Sequence, residues 1–493
     1  MLDNLSIAFE QVMQVTLLTA LVGGSLLGVI IGAIPGIGAG VGIAILLPLT
    51  FSLDPLSGLT LLMGVYAGAW YGGAIPAILI NTPGTAVAVL TTYDGYPMTQ
   101  KGQPQRALSI AYSSSFFGGT LSVIALVVAA PILAEFAKRF GAADLAMAAA
   151  TAMVLVIIAH REAKLAAAAM LGLGLFFSTV GLEGAYGSPR FTFGQTWLMG
   201  GVPLTAAILG LYAMSQAFVL IISDKKTRLP DQEVGRNFFG GFSEVLRYPR
   251  TLLRSSGFGI GMGILPGVGE FLAQFFAYSA ARRTSRTPEL FGKGAPEGII
   301  ASETANNSVP AAALVPLLAL GIPGEVLTAM MLVVFTVHNV DPGPTLFTEN
   351  PEFISGLYLS LFLMNFVIVA ILLVGTKWIA LVARINQKIL GVTILALVMV
   401  GTYTTNYRLT DPLIAVGFGL FGFALRRANI PSVPIILGLV LGPIFETRVR
   451  QAIGSAGGDA MVFLERPISA VLLTVIVILV STSVIGAWRQ RRQ

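Results

Sequence analysis

The chain has no cysteine. That excludes disulfides, thiolate catalysis and cysteine metal sites, and leaves the redox compartment open. It has two histidines, His160 and His338, too few for a histidine-rich metal centre. Charge is scarce as well: Asp, Glu, Lys and Arg make up 11% of 493 residues, against about 25% in a soluble domain. No Lys or Arg occurs before Lys101, and the opening MLDNLSIAFEQ lacks the basic segment of a cleavable signal peptide. There is no GxxxxGK[ST] loop and no hydrophilic segment long enough for a nucleotide domain, which disfavours a primary ATP-driven pump.

What is present is apolar. Hydrophobic residues make up 55% of the chain, and mean hydropathy is +0.82. This reads as an all-α polytopic membrane protein with most of its surface against the lipid bilayer, where helices satisfy their own backbone. The net charge of +6 lies in loops between apolar runs, a topology signal rather than a sign of nucleic-acid binding.

Residues 12–53 are apolar but broken at Gly32-Ala-Ile-Pro-Gly-Ile-Gly38, and residues 56–90 are broken at Asn81-Thr82-Pro83-Gly84. Cleaner spans follow over 107–134, 145–158, 165–180 and 198–222. The loop 223–255 carries Lys225, Lys226, Arg228, Arg236, Arg247, Arg250 and Arg254, and is cytoplasmic by the positive-inside rule. Beyond the basic loop 282–293, spans are expected near 353–375, 390–401, 413–424, 435–444 and 468–488, before a basic tail. The total is about 12 membrane segments. We divide the chain into a first transmembrane repeat over 1–222, a basic cytoplasmic linker over 223–251, and a second repeat over 252–493 with an extra C-terminal helix.

The repeat rests on two motifs in the same order. GAIPGIG at Gly32–Gly38 matches GILPGVG at Gly263–Gly269, and Pro76-AILINT-Pro83-Gly84 matches Pro316-LLALGI-Pro323-Gly324. Pro lacks a backbone donor and Gly tolerates left-handed angles, so each Pro-Gly pair breaks a helix. Broken backbone at membrane depth survives only where protein or a water-filled cavity satisfies it, and paired interrupted segments point to a transporter site. The flanks of the first PGxG lack basic residues and those of the second are basic. Read as re-entrant hairpins, the two enter from opposite faces, giving inverted-topology repeats. By that count residues 446–466, with Arg448 and Arg450, fall outside and fit least well.

The candidate substrate- or ion-binding residues cluster at the breaks. They are Pro35, Gly36 and Gly38; Asn81, Thr82, Pro83, Gly84 and Thr85; Pro266, Gly267, Gly269 and Glu270; Ser302, Thr304, Asn306, Asn307 and Ser308; and Pro323, Gly324 and Glu325. Half-helix N-termini favour carboxylates, and carbonyl ends favour cations. Hydroxyl and amide groups can donate to carboxylate oxygens or bind Na⁺ through their own oxygens; they can equally be helix–helix hydrogen bonds. Glu270 stands where the first repeat has Ala39, and Glu325 where it has Thr85, so the repeated fold does not demand these acids. They can bind a cation, carry a proton, stay neutral because burial disfavours the charged form, or cap a half-helix. Glu303 is expected near a solvated helix end, and both histidines near the interface.

The segments GAIPGIGAGVGIAILLP, YGGAIPAILINTPGTAVAVLTTYDGYPMTQKGQPQRAL, PGVGE and ASETANNSVPAAALVPLLALGIPGE resemble the large permease subunit of the tripartite tricarboxylate transporters, the TctA family. The resemblance runs over nearly the whole chain. It implies cation-driven uptake of organic di- or tricarboxylates across a bacterial inner membrane. It implies as partners a small four-helix membrane subunit and a periplasmic solute-binding protein, and it is similar to folds with inverted repeats and an elevator-like motion. A homodimer of the permease is a further expectation.

Alternatives are an ATP-driven importer with a separate ATPase, a channel, and an intramembrane enzyme. The last would need a nucleophile–base set or metal ligands at depth, and the sequence offers no Cys, no HExxH and no convincing acid pair. No cofactor is expected beyond a coupling cation. Na⁺ is favoured over H⁺, because polar clusters occur in both repeats and the acids in one.

Overall fold

The computed structural model describes residues 2–160, 162–183, 187–222, 239–265, 267, 269–382 and 385–490. The linker segment 223–238, the site candidate Pro266 and the last tail residues 491–493 lie outside the described residues. The described chain is built of helices apart from one antiparallel ribbon pairing Gly181–Leu182 with Pro189–Arg190. Among the described residues seven helices are long and apolar enough to cross a membrane, and four shorter apolar helices accompany them. The chain is a multi-pass, all-α membrane protein.

The first half is organised on two helices, Val15–Ala33 and Pro55–Ile80, packed backbone to backbone. Gly24, Gly28 and Gly32 on one face Gly64, Gly68 and Gly72 on the other. A Cβ on Gly28 would stand 2.6 Å from the Gly64 carbonyl oxygen, and one on Gly72 would stand 2.2 Å from that of Val29. Lipid supplies no hydrophobic drive between helices, so such close van der Waals contact holds the pair. The second half uses the same seam. Gly28 and Gly259 each precede the break proline by seven residues, and a Cβ on Gly259 would stand 2.4 Å from the Ala305 carbonyl.

The breaks repeat in backbone conformation. Ile34 (φ −89°, ψ 112°) and Leu265 (φ −83°, ψ 115°) both leave the helix extended. Gly36 and Gly267 follow at φ +88° and +79°, then Gly38 and Gly269 at +70° and +74°. At the second motif Asn81 and Gly321 are both left-handed, and the next N–H in each donates to Pro76 or Pro316 at 3.3 Å. One bond joins the motifs in each half: the Gly36 N–H donates to Gly84 at 3.3 Å, and the Gly267 N–H to Gly324 at 2.7 Å. The halves differ in one respect. Pro55–Ile80 is continuous for 26 residues, whereas its counterpart is split into Pro296–Asn307 and Leu314–Leu320 around Pro310.

Two sets of contacts mark the ends of Pro55–Ile80. At one end the Thr99 hydroxyl donates to Ile78 at 2.8 Å, and Lys101 Nζ donates to the Lys293 carbonyl at 2.6 Å. Asp94 clasps the same loop, accepting from the N–H groups of Gly292 (2.9 Å), Gly294 (3.0 Å) and Ala295 (2.7 Å) and from the Tyr278 hydroxyl (2.7 Å). At the other end His338 Nε2 lies 3.2 Å from the Thr50 carbonyl. About 39 Å of helix separates the two, at about 1.5 Å per residue.

The C-terminal helices outrun the apolar runs that mark them. The runs 390–401, 413–424 and 435–444 become Gln387–Asn406, Thr410–Arg427 and Val433–Ser455. The first runs on through a threonine tail, in which Thr402 and Thr405 turn their hydroxyls back to Val398 and Gly401 at 2.8 and 2.9 Å. The basic residues of 446–466 are not all free charges: Arg450 pairs with Glu183 at 2.9 Å, and Arg466 with Asp144 at 2.8 Å.

Candidate functional site

The two carboxylates that follow the Pro-Gly breaks of the second half turn to one hydroxyl. Glu270 opens the helix Gly269–Thr284 just after the first break, and Glu325 precedes Val326–Val337 just after the second. Tyr66, in the middle of Pro55–Ile80 and without exposure, bonds Glu270 Oε1 at 2.6 Å and also Glu325 Oε1. The sequence reading found no convincing acid pair. The structure corrects this: residues far apart in sequence meet because the Gly267–Gly324 bond draws the two breaks together. Glu325 stands at a helix N-cap, but its side chain goes to Tyr66, and its own N–H is taken by the Thr328 hydroxyl at 3.0 Å.

On the helices that carry this trio and the elements packed on them lie buried polar groups without a protein partner. Trp70, one turn along from Tyr66 with its ring edge-on at 5.2 Å, has an unbonded indole N–H. Thr85 packs on Gly73, one turn further on the same face, and its hydroxyl is unbonded. Gln274, one turn along from Glu270, has neither amide atom bonded, and Asn306 on the adjoining helix is the same. The short turn Ala86–Ala88 after Thr85 touches both of those helices, so the break of the first repeat joins those of the second here.

The remaining candidates divide. Pro35, Gly84, Pro323 and Gly324 are buried backbone corners, and Gly38, Gly267, Gly269 and Pro83 are half-buried. Gly36 is exposed, as are Asn81 and Thr82, and the Thr82 hydroxyl returns to Ile80 at 3.2 Å. Ser302 and Ser308 donate to carbonyls of their own helix turns, which is packing geometry. The Thr304 hydroxyl is buried and unbonded.

Glu303 is not solvated. It has no exposure, because its helix is enclosed by neighbours, and it takes hydrogen bonds from Thr91, from Ser115 at 3.0 Å and from Asn307 Nδ2 at 3.4 Å. Beside it a cavity of about 20 Å³ is lined in part by Tyr71, Asn307 and Asn365, and the Asn307 Oδ1 is unbonded. That volume holds one water-sized guest. A larger cavity of about 410 Å³ opens at the Gly321 end, where Ile322, Asn339, Asp341 and Arg448 line it.

Tyr66, Trp70, Gln274, Thr91 and Ser115 are the participants that the sequence did not single out. Gln274 was within reach, since it lies at helical spacing from Glu270. Tyr66 and Trp70 read as ordinary aromatics of an apolar span. Among the described residues no group of three His, Asp or Glu side chains can hold a metal ion.

Paired discontinuous helices converging on a buried polar cluster, inside a multi-pass bundle, define a class: the membrane solute carriers. The chain belongs to the tripartite tricarboxylate transporter TctA family, whose pattern matches residues 18–437. It is a tricarboxylate transporter permease, from a family of transporters rather than enzymes. A 52.8 kDa protein from the TAR-I ttuC' 3' region of Agrobacterium vitis is 35% identical over 499 residues, covering 100% of this chain and 98% of that one. A protein from the TAR-II ttuC' 3' region of the same organism is 34% identical over 233 residues, 47% of this chain and 96% of its own. No solved structure matches the chain.

Proposed function

We propose that the protein is a secondary active permease importing organic di- or tricarboxylates across a bacterial inner membrane, driven by cations. The observation that carries this reading is the set of unbonded buried donors, Trp70 Nε1, Thr85 Oγ1 and the amides of Gln274 and Asn306, where the breaks of both repeats meet. A buried polar group left unpaired costs about 1–3 kcal/mol, and a carboxylate solute accepts from all four. The solute is delivered by a periplasmic binding protein, and a small four-helix subunit completes the complex, with the permease itself a homodimer. The two repeats are inverted in about 12 membrane segments. The opposed placement of Thr50 and Lys293 along Pro55–Ile80 supports this.

Each elementary charge moved against the membrane potential costs about 2.3 kcal/mol per 100 mV, so an anion needs co-transported cations. Na⁺ is the cation favoured by the hydroxyl and amide oxygens of Thr85, Thr304, Asn306 and Asn307. The test is uptake into reconstituted vesicles with the binding protein supplied, under an inward Na⁺ gradient at equal pH. Accumulation is expected. Full accumulation under a pH gradient without Na⁺ overturns the Na⁺ assignment, and loss of uptake in ionophore with ATP intact excludes an ATP-driven importer.

A further inference from the structure

Tyr66 has one hydroxyl hydrogen, and two carboxyl groups compete for it. Donating to one leaves the other against a bare lone pair, unless that carboxyl carries a hydrogen of its own. Two ionised carboxylates on one hydroxyl would also repel, which is why closely paired acids share a proton. Among the described residues no Lys or Arg forms an ion pair with either acid.

We propose that Glu270, Tyr66 and Glu325 form one proton-binding site, in which two hydrogens are held among two carboxyls and a phenol. Its use, a proton carried with the solute in addition to Na⁺, rests on the transport reading above. The geometry favours a proton over a metal cation between these oxygens. Oxygens held about 2.0–2.6 Å from a hard cation stand about 2.8–3.7 Å from one another at right angles, wider than the spacing of Tyr66 and Glu270. Tyr66 and Glu270 are 2.6 Å apart, the spacing of a charge-assisted O–H···O bond.

The unbonded amide of Gln274, fully buried and one turn from Glu270, and the unbonded N–H of Trp70 against the Tyr66 ring mark the cluster as a ligand-facing site rather than a sealed contact. Other titratable or charged groups on the neighbouring elements are accounted for. Tyr71 donates to Asn365 at 2.9 Å, Glu303 is held by Thr91 and Ser115, and Arg426 is held by Gln216 at 2.7 Å. Arg282 and Arg283 close the far end of Glu270's helix, about 18 Å away. Tyr278, on Glu270's own helix, donates to Asp94 at 2.7 Å, and Tyr212 has an unbonded hydroxyl.

The test is infrared difference spectroscopy of the full chain in lipid nanodiscs, titrated with pH and with no solute present. A protonated-carboxyl band that shifts in D₂O is expected. It is lost in Glu270→Gln and in Glu325→Gln, kept with a displaced midpoint in Tyr66→Phe, and kept unchanged in Glu303→Gln. No band, or a band lost only in Glu303→Gln, overturns the proposal. Gel filtration of each variant guards against misfolding, and Glu325→Asp, which keeps the carboxyl, should restore a band. The two readings fail separately. A missing band in a protein that accumulates carboxylates leaves transport standing; a band in a protein that transports none leaves the proton site standing.

Discussion

Gln274 has a buried amide with no protein partner, in a helix that could hold an apolar side chain at no cost in hydrogen bonds. Replacing an unpaired polar group by one of similar shape is neutral or stabilising, so Gln274→Met should melt at or above the wild-type temperature in detergent. If the amide binds a charged solute, losing that bond costs about 1.5–3 kcal/mol, or about ten- to a hundredfold in affinity. Carboxylate uptake should fall by that order while abundance stays normal. Unchanged uptake would make Gln274 a packing residue. Asn306→Leu provides the same comparison on the adjoining helix. At this scale the sequence showed half of the site. Glu270, Glu325, Thr85 and Asn306 stand out because polar groups are rare in apolar runs. Tyr66 and Trp70 do not, since nothing in a linear pattern says which face of a long helix meets a break more than two hundred residues away.

At the scale of elements, the glycine seam and the Asp94 clasp hold the pieces in register. Gly28→Leu would drive a side chain into the Gly64 carbonyl, where even a Cβ stands at 2.6 Å. Helix contact is then lost, and little folded protein should be recovered from membranes; abundance near wild type would show that the seam can open. Asp94 accepts four hydrogen bonds from the loop and helix of the second repeat. Bonds to a charged group contribute about 1.5–3 kcal/mol each. Asp94→Ala should therefore lower the detergent melting temperature by several degrees, with Asp94→Asn intermediate. An unshifted melt would mean that the loop is held by Lys101 and packing alone. The Pro-Gly breaks were legible residue by residue, because proline and glycine fix backbone angles locally. The split at Pro310 was not, since its counterpart in the first half is an unbroken helix. The true lengths of the C-terminal helices were hidden too, because threonine satisfies its own hydroxyl inside a helix and hydropathy counts it as a boundary.

For the whole molecule, the absence of cysteine makes orientation measurable. Single cysteines replacing Ser52 and Ser285 should react with impermeant maleimide from opposite faces of sealed vesicles. Labelling from the same face would end the inverted reading, whatever the local likeness of the breaks. The backbone of the two halves repeats closely, down to the Gly36–Gly84 and Gly267–Gly324 bonds, but the side chains do not. Ala39 and Thr85 in one half answer to Glu270 and Glu325 in the other. A carrier with two identical halves would have no sense of direction at its centre. Here the breaks of one half carry acids and those of the other carry neutral residues. Two side chains thus give like corners of the backbone unlike chemistry, so the centre can tell its two ends apart even though the gradients alone decide which way a cargo moves.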